Sequence, residues 1–251
     1  MVWSFSRINA YEYCPYSWYL RYIEKQDGVG SFYADNGKAM HEVLEAVTSG
    51  EISVYDAPFA YLEKFNGLVN TVKKDIMDKT FDSCINYLYG LDEDVLEGYR
   101  VIGSEIKINY KIGKYKFIGF IDLLLQDNDG NLIIVDHKSA EPFLKKNGEP
   151  YAGTKSMFEG YMKQLYLYAV GVKQIYGKYP SKLVFNHFKS NGARTVITFN
   201  EDDCNNAMKW ATDTIKKIYK DKKFEPVKNT GYCYRLCGFR YDCDYKNEEE
   251  D

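Results

Sequence analysis

The chain has 251 residues and a formal charge of −3 at neutral pH, and 45% of its residues are hydrophobic. This length is enough for one domain with a sizeable core, whereas the acidic balance argues against a protein that coats nucleic acid nonspecifically. No apolar run is long enough to span a membrane, and residues 1–7 lack the apolar segment of a signal peptide. We therefore expect a cytoplasmic protein without a membrane partner. In that reducing compartment its six cysteines are expected to be free thiols or metal ligands.

The N-terminal segment predicts two short helices. Two serines can cap a helix that runs from about Arg7 to Tyr13. Pro15 interrupts this helix and suits the first turn of a second one. Cys14 lies at the break, and the ordinary explanation for such a lone cysteine is that it is buried as a small hydrophobe.

An amphipathic helix is predicted after Asp35, which is a suitable N-cap. Its apolar positions recur at helical spacing, and His41 borders them. A lone histidine beside an apolar face is more often structural than a metal ligand, so the helix by itself leaves both roles open.

Helical spacing continues over residues 51–95, which we interpret as a helical insertion. Residues 101–118 then show the alternation of strands, with a turn at about residues 112–114. Glu105 opens the first of these strands. We expect it to face water at the sheet edge, with a place near a metal as the alternative.

Two apolar runs flank a polar turn at residues 127–130, which predicts an antiparallel hairpin. Because side chains alternate along a strand, Asp136 and Lys138 leave one side of the second strand and His137 leaves the other. Across the ladder, Asp122 would lie near Asp136, and the two carboxylates could share a hard cation such as Mg²⁺. An ion pair between Asp136 and Lys138 at a strand end is the plainer alternative.

A further helix, hairpin and helix follow. The first helix is predicted over about residues 155–176 and carries Gln164 and Tyr168 four residues apart on one face. Residues 181–199 predict the hairpin, and residues 201–219 predict the second helix.

The C-terminal segment contains three cysteines within eleven residues, Cys233, Cys237 and Cys243. A tetrahedral metal site or cluster would need a fourth ligand, and Cys14 is the natural candidate. Thiolates bind both iron–sulfur clusters and Zn²⁺. Either would join the two ends of the chain.

Five of these features resemble, in order, the PD-(D/E)xK nucleases, and specifically the RecB-like, CRISPR-associated type of exonuclease that carries a four-cysteine iron–sulfur cluster. The matching residues are Cys14 before Pro15, Gly37-x-x-x-His41, Gly119-x-x-Asp122 followed by Asp136-x-Lys138, Gln164-x-x-x-Tyr168, and the three C-terminal cysteines. The resemblance covers the chain from Ser4 to Cys243. It departs from the family in one spacing, because three residues instead of two separate Cys233 from Cys237.

The resemblance implies an α/β fold with a mixed central sheet flanked by helices, a restriction-endonuclease-like core. It implies a single domain over residues 1–251, with the core at 100–200, the insertion at 51–95, and an iron–sulfur clasp formed by 1–30 and 224–245. The implied ligands of Mg²⁺ or Mn²⁺ are His41, Asp122, Asp136 and the carbonyl of His137. The implied catalytic residues are Asp122, Asp136, Lys138, Gln164 and Tyr168. Cys14, Cys233, Cys237 and Cys243 would bind a [4Fe–4S] cluster, with a structural Zn²⁺ as the alternative.

The activity implied by the resemblance is metal-dependent hydrolysis of phosphodiester bonds at DNA ends. Such an exonuclease would act in recombination, repair or DNA processing like that of CRISPR adaptation. Its partner would be single-stranded DNA or DNA ends, with a recombination or adaptation protein as a further candidate. Two alternatives stay open. One is a noncatalytic scaffold that binds DNA ends, and the other is an RNA- or structure-specific nuclease.

Overall fold

A five-stranded sheet lies at the centre of the computed structural model, which describes residues 1–68, 72–92, 96–145, 148–228 and 231–245. The strands lie side by side in chain order: β1 (Tyr99–Ile112), β2 (Tyr115–Asp127), β3 (Leu132–Lys138), β4 (Lys182–His187) and β5 (Ala193–Thr198). β3 and β4 are parallel, and the other neighbouring strands are antiparallel. This mixed sheet with flanking helices confirms the predicted fold class.

Eight α-helices accompany the sheet in the described ranges: α1 (Phe5–Tyr13), α2 (Pro15–Tyr22), α3 (Phe32–Thr48), α4 (Ala57–Asn66), α5 (Lys74–Tyr89), α6 (Lys155–Tyr176), α7 (Glu201–Lys220) and α8 (Gly231–Arg235). The short α8 has no counterpart among the predicted elements. Residues 69–71 and 93–95 of the predicted insertion lie outside the described residues. None of the helices in the described part of the chain combines the length and hydrophobicity required to cross a membrane.

The start of α3 differs from the predicted one. The predicted N-cap was Asp35, but the helix begins at Phe32, where the side chain of Ser31 accepts the backbone N–H of Ala34 at 3.2 Å. A serine cap one turn earlier satisfies an N–H that would otherwise lack a partner. Asp35 then lies in the first turn, where its negative charge suits the helix dipole.

The main core lies between the sheet and α6, with α1 and α7 packed behind. Leu132 and Ile134 of β3 belong to this core, whereas Ile133 and Val135 contribute to a second apolar cluster on the opposite face of the sheet. Because both faces of β3 are covered, its apolar run is continuous instead of alternating. A third cluster joins α3, α4 and α5 and includes the buried Cys84.

The β2–β3 ladder is short, and this opens the sheet at the candidate site. Pairing runs only from Leu123 opposite Val135 to Gln126 opposite Leu132. The earlier half of β2 exchanges backbone hydrogen bonds with Trp3 instead. The two strands therefore diverge at the residues that follow the last pair, which are Asp122 and Asp136.

Candidate active site

Three acidic residues lie side by side on neighbouring strands. The pairing of Leu123 with Val135 places Asp122 beside Asp136, as the hairpin register predicted. On the other side, Ser104 pairs with Leu123, so the same register brings Glu105 opposite Asp122. The divergence of β2 from β3 leaves this row of carboxylates at an opening in the sheet.

His41 reaches the row of acids from α3. Its Nδ1 lies 3.5 Å from a carboxylate oxygen of Glu105 and 3.5 Å from Oδ2 of Asp122. Its Nε2 lies 3.1 Å from the backbone carbonyl of His137. Burial lowers the pKa of His41, but the hydrogen bond to Glu105 and the charges of Asp122 and Asp136 outweigh it and raise the pKa to about 9. The imidazole is therefore surrounded by oxygen atoms that stabilise its protonated, positively charged form.

The expectation that Glu105 faces water is wrong. Glu105 has a φ of 45°, which is unusual for a residue with a side chain, and the ladder skips it between Ser104 and Ile106. Its carboxylate, His41 and Asp122 form a group whose ligand atoms lie within 4.8 Å of one another. Such a conformation costs of order 1–3 kcal/mol and persists only where its surroundings enforce it.

Asp122 and Asp136 form a crowded pair of carboxylates. Oδ2 of Asp122 accepts the backbone N–H of His137 at 2.7 Å. Burial and the charge of Asp136 raise the pKa of Asp122 to about 7, against the opposing effects of His41 and Lys138. Two carboxylates this close favour a bound cation, because like charges resist ionising together.

Lys138 supplies one positive charge to this pair. Its Nζ lies 2.6 Å from Oδ2 of the buried Asp136, so the two side chains form a close ion pair. The same ammonium donates to Oε1 of Gln164 at 3.2 Å and lies 4.2 Å from the centre of the Tyr161 ring. Burial lowers the pKa of Lys138, yet the negative charges of Asp136 and Asp122 outweigh this effect and raise the pKa overall. Lys138 is therefore a fixed cation.

Gln164 and Tyr168 hold this lysine from α6. Gln164 donates its amide N–H to the Tyr168 hydroxyl at 3.0 Å while it accepts from Lys138. The Tyr168 ring packs against Gly119, where an added Cβ would lie 2.6 Å from Cε1 of the ring. The glycine of the Gly-x-x-Asp segment thus leaves the space that Tyr168 fills. Burial also raises the pKa of Tyr168 to about 12, so its hydroxyl is protonated.

The sequence matches the model of the PD-(D/E)XK nuclease superfamily over residues 2–246. The chain belongs to this superfamily. Its fold is similar to that of a provisionally assigned exonuclease from Eubacterium rectale, with a TM-score of 0.55, 11% identity, and coverage of 87% of this chain and 80% of the other. The protein SSO0001 is 17% identical over 88% of both chains, with a TM-score of only 0.36. No curated protein is similar enough in sequence to match the chain.

Membership of the superfamily makes the chain a hydrolytic nuclease, and nucleases of this superfamily use divalent metals. The residues of this nuclease suit such an ion. His41, Glu105 and Asp122 can each offer a ligand atom to one position, and the strand register brings Asp136 beside Asp122. Carboxylate oxygens are the ligands that Mg²⁺ and Mn²⁺ prefer.

The side chain of His137 lies on the opposite face of the nuclease sheet, as strand alternation predicted. Its Nδ1 accepts from the amide of Asn186 at 2.9 Å, and Asn186 also donates to the hydroxyl of Tyr87. Burial, with the nearby charges of His41 and Lys138, lowers the pKa of His137 to about 3. The imidazole is therefore neutral, and only the backbone of His137 reaches the acidic cluster.

Tyr161 is the residue of the nuclease site that the sequence interpretation missed. It lies one helical turn before Gln164 on α6, and its ring contacts Lys138. The spacing of Tyr161, Gln164 and Tyr168 places all three on one helical face. That pattern was visible in the sequence, but an aromatic residue on such a face is usually part of the core.

The nuclease brings Cys14, Cys233, Cys237 and Cys243 together around one small pocket. Burial raises the pKa of the Cys237 thiol. None of the six cysteines, all of which lie in the described residues, forms a disulfide, and Cys84 and Cys204 are buried elsewhere. The two ends of the chain also touch directly, because Val29 donates its N–H to the carbonyl of Gly238 at 2.7 Å.

Proposed function

We propose that this nuclease is a metal-dependent deoxyribonuclease that hydrolyses phosphodiester bonds at DNA ends. The observation that carries the proposal is the convergence of Asp122, Asp136 and His41 with an ammonium group, Lys138, held 2.6 Å from the buried acid. A hydrolase of a phosphodiester needs acidic ligands for a divalent ion and a cation near the developing phosphate charge. These residues can supply both.

The residues that would hold Mg²⁺ or Mn²⁺ are Asp122, Asp136, His41 and the carbonyl of His137. Glu105 joins this proposed set because its carboxylate lies 3.5 Å from the imidazole of His41. When bound, such an ion supplies Lewis acidity and lowers the pKa of a coordinated water. His41 must lose its proton to act as a ligand, so a metal ion and a proton compete for the imidazole, and the raised pKa of His41 favours the proton.

Lys138 is proposed to orient the attacking water and to offset negative charge on the phosphate. Its ammonium is already positioned by Gln164 and by the ring of Tyr161, so little reorganisation is needed during the reaction. Gln164 and Tyr168 are proposed as positioning residues, since Tyr168 contacts Gln164 and Gln164 contacts the lysine.

The decisive experiment compares linear and circular DNA. The purified chain is incubated with end-labelled single- and double-stranded DNA, with end-labelled single-stranded RNA, and with circular DNA of the same length. Each reaction contains Mg²⁺, Mn²⁺ or EDTA. We expect metal-dependent loss of the linear substrates and no cleavage of the circle, and we expect Asp136→Asn to abolish the loss. Binding of ends without cleavage would support the scaffold alternative instead, and cleavage confined to RNA or to the circle would contradict exonuclease action on DNA.

We further propose that the four clustered cysteines bind a [4Fe–4S] cluster. The fit is supported by four cysteines that line one pocket and form no disulfide, because a thiol that ligates a metal ion is bound as the thiolate. A structural Zn²⁺ is the alternative for the same ligands. Protein purified without oxygen should be brown and contain about four irons per chain. Colourless protein with stoichiometric zinc would instead show that the four cysteines bind a structural Zn²⁺.

The proposed setting is DNA recombination, repair or CRISPR-adaptation-like processing in the cytoplasm, with a protein of that pathway as a partner. A reducing compartment suits six cysteines that form no disulfide. Cell fractionation, together with survival of cells that lack the protein after DNA breakage, would test this setting. Unchanged survival and recovery of the protein outside the cytoplasm would contradict it.

A further inference from the structure

We infer that the solvent-facing side of the β1–β2 hairpin is a binding track for single-stranded DNA that leads to the acidic cluster. The inference rests on the proposed nuclease function, because it assigns the substrate of that same site. The track is defined by Lys107, Lys111, Lys116 and Phe120 on the hairpin, together with Tyr33 at the start of α3.

The two faces of this hairpin differ sharply. The successive cross-strand pairs on the outer face are Lys107–Phe120, Asn109–Ile118 and Lys111–Lys116. The alternate residues, such as Ile108 and Phe117, are buried in the main core. Because side chains alternate across a strand, the outer pairs point away from that core. Lys107, Lys111 and Lys116 are all exposed, and the outer face carries no acidic side chain at these positions.

The track begins at the candidate active site. Phe120 lines an open groove of about 630 Å³ together with His41 and Glu105. From the level of Glu105 to that of Lys111 is six residues of strand, or about 20 Å at about 3.4 Å per residue. That length accommodates up to about six stacked nucleotides.

The aromatic residues of the groove favour a single strand over a duplex. Phe120 is 48% exposed and Tyr33, on the opposite wall, is 41% exposed. Aromatic side chains in such positions stack on unpaired bases and tolerate any base sequence, because every base has a π-face. The bases of a duplex already stack on each other and offer no such face.

The charges of the groove orient the strand. The whole chain is acidic, with a formal charge of −3, so the three lysines of the hairpin form a local positive stripe. The α3 wall carries Lys38 together with Glu42 and Glu45, and Glu42 is paired with both Lys64 at 2.5 Å and Lys38 at 3.8 Å. The α3 wall therefore has no excess positive charge, so phosphates are favoured over the hairpin lysines, which leaves the bases to face Phe120 and Tyr33.

The stacking part of the track is tested by Phe120→Ala. Binding of a fluorescein-labelled 15-nucleotide dT strand and of a blunt duplex is measured by anisotropy in EDTA, where no cleavage occurs. Loss of one stacking platform should weaken single-strand binding by about fivefold to about 150-fold and change duplex binding little. The matched control is Phe59→Ala on α4, which removes a still more exposed ring, 63% accessible, that does not line the groove. It should bind like the parent.

The phosphate contacts are tested by the salt dependence of the double variant Lys107→Ala/Lys116→Ala. For single strands the log–log slope of affinity against salt changes by about 0.7 for each phosphate contact, so this variant should lose about 1.4 from the slope. Lys74→Ala/Lys79→Ala on α5 removes the same charge from exposed positions outside the track and should leave the slope unchanged. A folding defect would lower the active fraction without altering the slope.

The outcomes separate this inference from the proposed function. If the parent degrades DNA while Phe120→Ala binds single strands normally and the lysine variant keeps its salt slope, the track is wrong and the nuclease assignment stands. If Phe120→Ala weakens single-strand binding and the lysine variant reduces the salt slope, but the parent never cleaves DNA with Mg²⁺ or Mn²⁺, the track stands and the proposed function fails. Equal weakening by Phe59→Ala would also overturn the track.

Discussion

Gly119→Ala tests whether this glycine sets the position of Tyr168. A Cβ at residue 119 would lie 2.6 Å from Cε1 of Tyr168, 2.9 Å from its Cδ1 and 3.3 Å from Cγ1 of Ile108. Contacts below 3 Å require movement, and because Ile108 blocks the other side, the tyrosine ring has to shift. Overpacking of this kind costs about 1–3 kcal/mol, so the free energy of unfolding should fall by that amount.

The displacement should also reach the lysine. The Tyr168 hydroxyl lies 3.0 Å from the amide of Gln164, and Oε1 of Gln164 lies 3.2 Å from Nζ of Lys138. A shift of the ring therefore misplaces Gln164, and misplacement of about 1 Å near a reacting centre can lower kcat by on the order of a hundredfold. We expect Gly119→Ala to lose activity out of proportion to its loss of stability.

Urea unfolding of the metal-free protein and Mn²⁺-dependent DNA cleavage measure the two effects. The matched control is Gly171→Ala on α6, where the new Cβ would lie 2.7 Å from Cδ1 of Ile108 and 3.0 Å from Cδ1 of Tyr110, away from Gln164. Alanine gains about 1 kcal/mol of helix propensity there, so the net loss should be at most about 2 kcal/mol, with kcat retained.

A double-mutant cycle completes the test. In a Tyr168→Ala background the clash is absent, so adding Gly119→Ala should cost almost nothing. The reasoning is refuted if Gly119→Ala is as stable and as active as the parent, or if its penalty is the same in the Tyr168→Ala background.

Three further predictions concern charge, pH and the cysteines. Lys138→Met should abolish cleavage and lower the free energy of unfolding of the metal-free protein by about 3–5 kcal/mol, because it leaves a buried carboxylate without its partner. Urea unfolding measures the stability, and retained cleavage would exclude Lys138 from catalysis. The pKa of His41 is raised to about 9 and that of Asp122 to about 7, so the folded metal-free protein holds more protons than the unfolded chain. The stability from His41 is complete below pH 6.5 and lost as pH rises through 9, and that from Asp122 is lost as pH rises from 3.8 through 7. Mn²⁺ must displace these protons, so it should raise the Tm more at pH 8.5 than at pH 6. His41→Ala should reduce this difference between the two pH values. An equal rise in Tm at both pH values would contradict competition between protons and Mn²⁺ for these side chains. Cys14→Ser should lose the bound iron, whereas Cys84→Ser should keep it, as measured by iron analysis and visible absorbance; equal iron in both would remove Cys14 from the ligand set.

Several features of the site followed from local sequence alone. The turn at residues 127–130 and the apolar runs around it determine the hairpin, and strand alternation then places Asp136 and Lys138 on the side opposite His137. The spacing of Gln164 and Tyr168 likewise puts them on one face of α6. These relations hold over a few residues, where backbone geometry leaves little choice.

Glu105 shows where local reasoning failed. An exposed glutamate is the ordinary outcome for a strand at a sheet edge, and nothing in the adjacent residues signals a left-handed backbone. The position of Glu105 depends on the break in the β1 ladder and on His41, which comes from a separate helix. Neither follows from periodicity, because both arise from packing between elements that are distant in sequence.

The sequence by itself determined the order of the elements, the local faces of their polar residues and the family to which they belong. The resemblance led to the expectation that His41 lies beside Asp122 and Cys14 beside the C-terminal cysteines, but only the tertiary structure gives the contacts: His41 of α3 lies 3.5 Å from Asp122 of β2, and the four cysteines line one pocket. It also decided that Tyr168 fits against Gly119, which neither residue's own neighbourhood predicts. The physical reason is that secondary structure follows from short-range sterics and hydrogen bonding, whereas the meeting of distant side chains follows from how whole elements bury their apolar faces together.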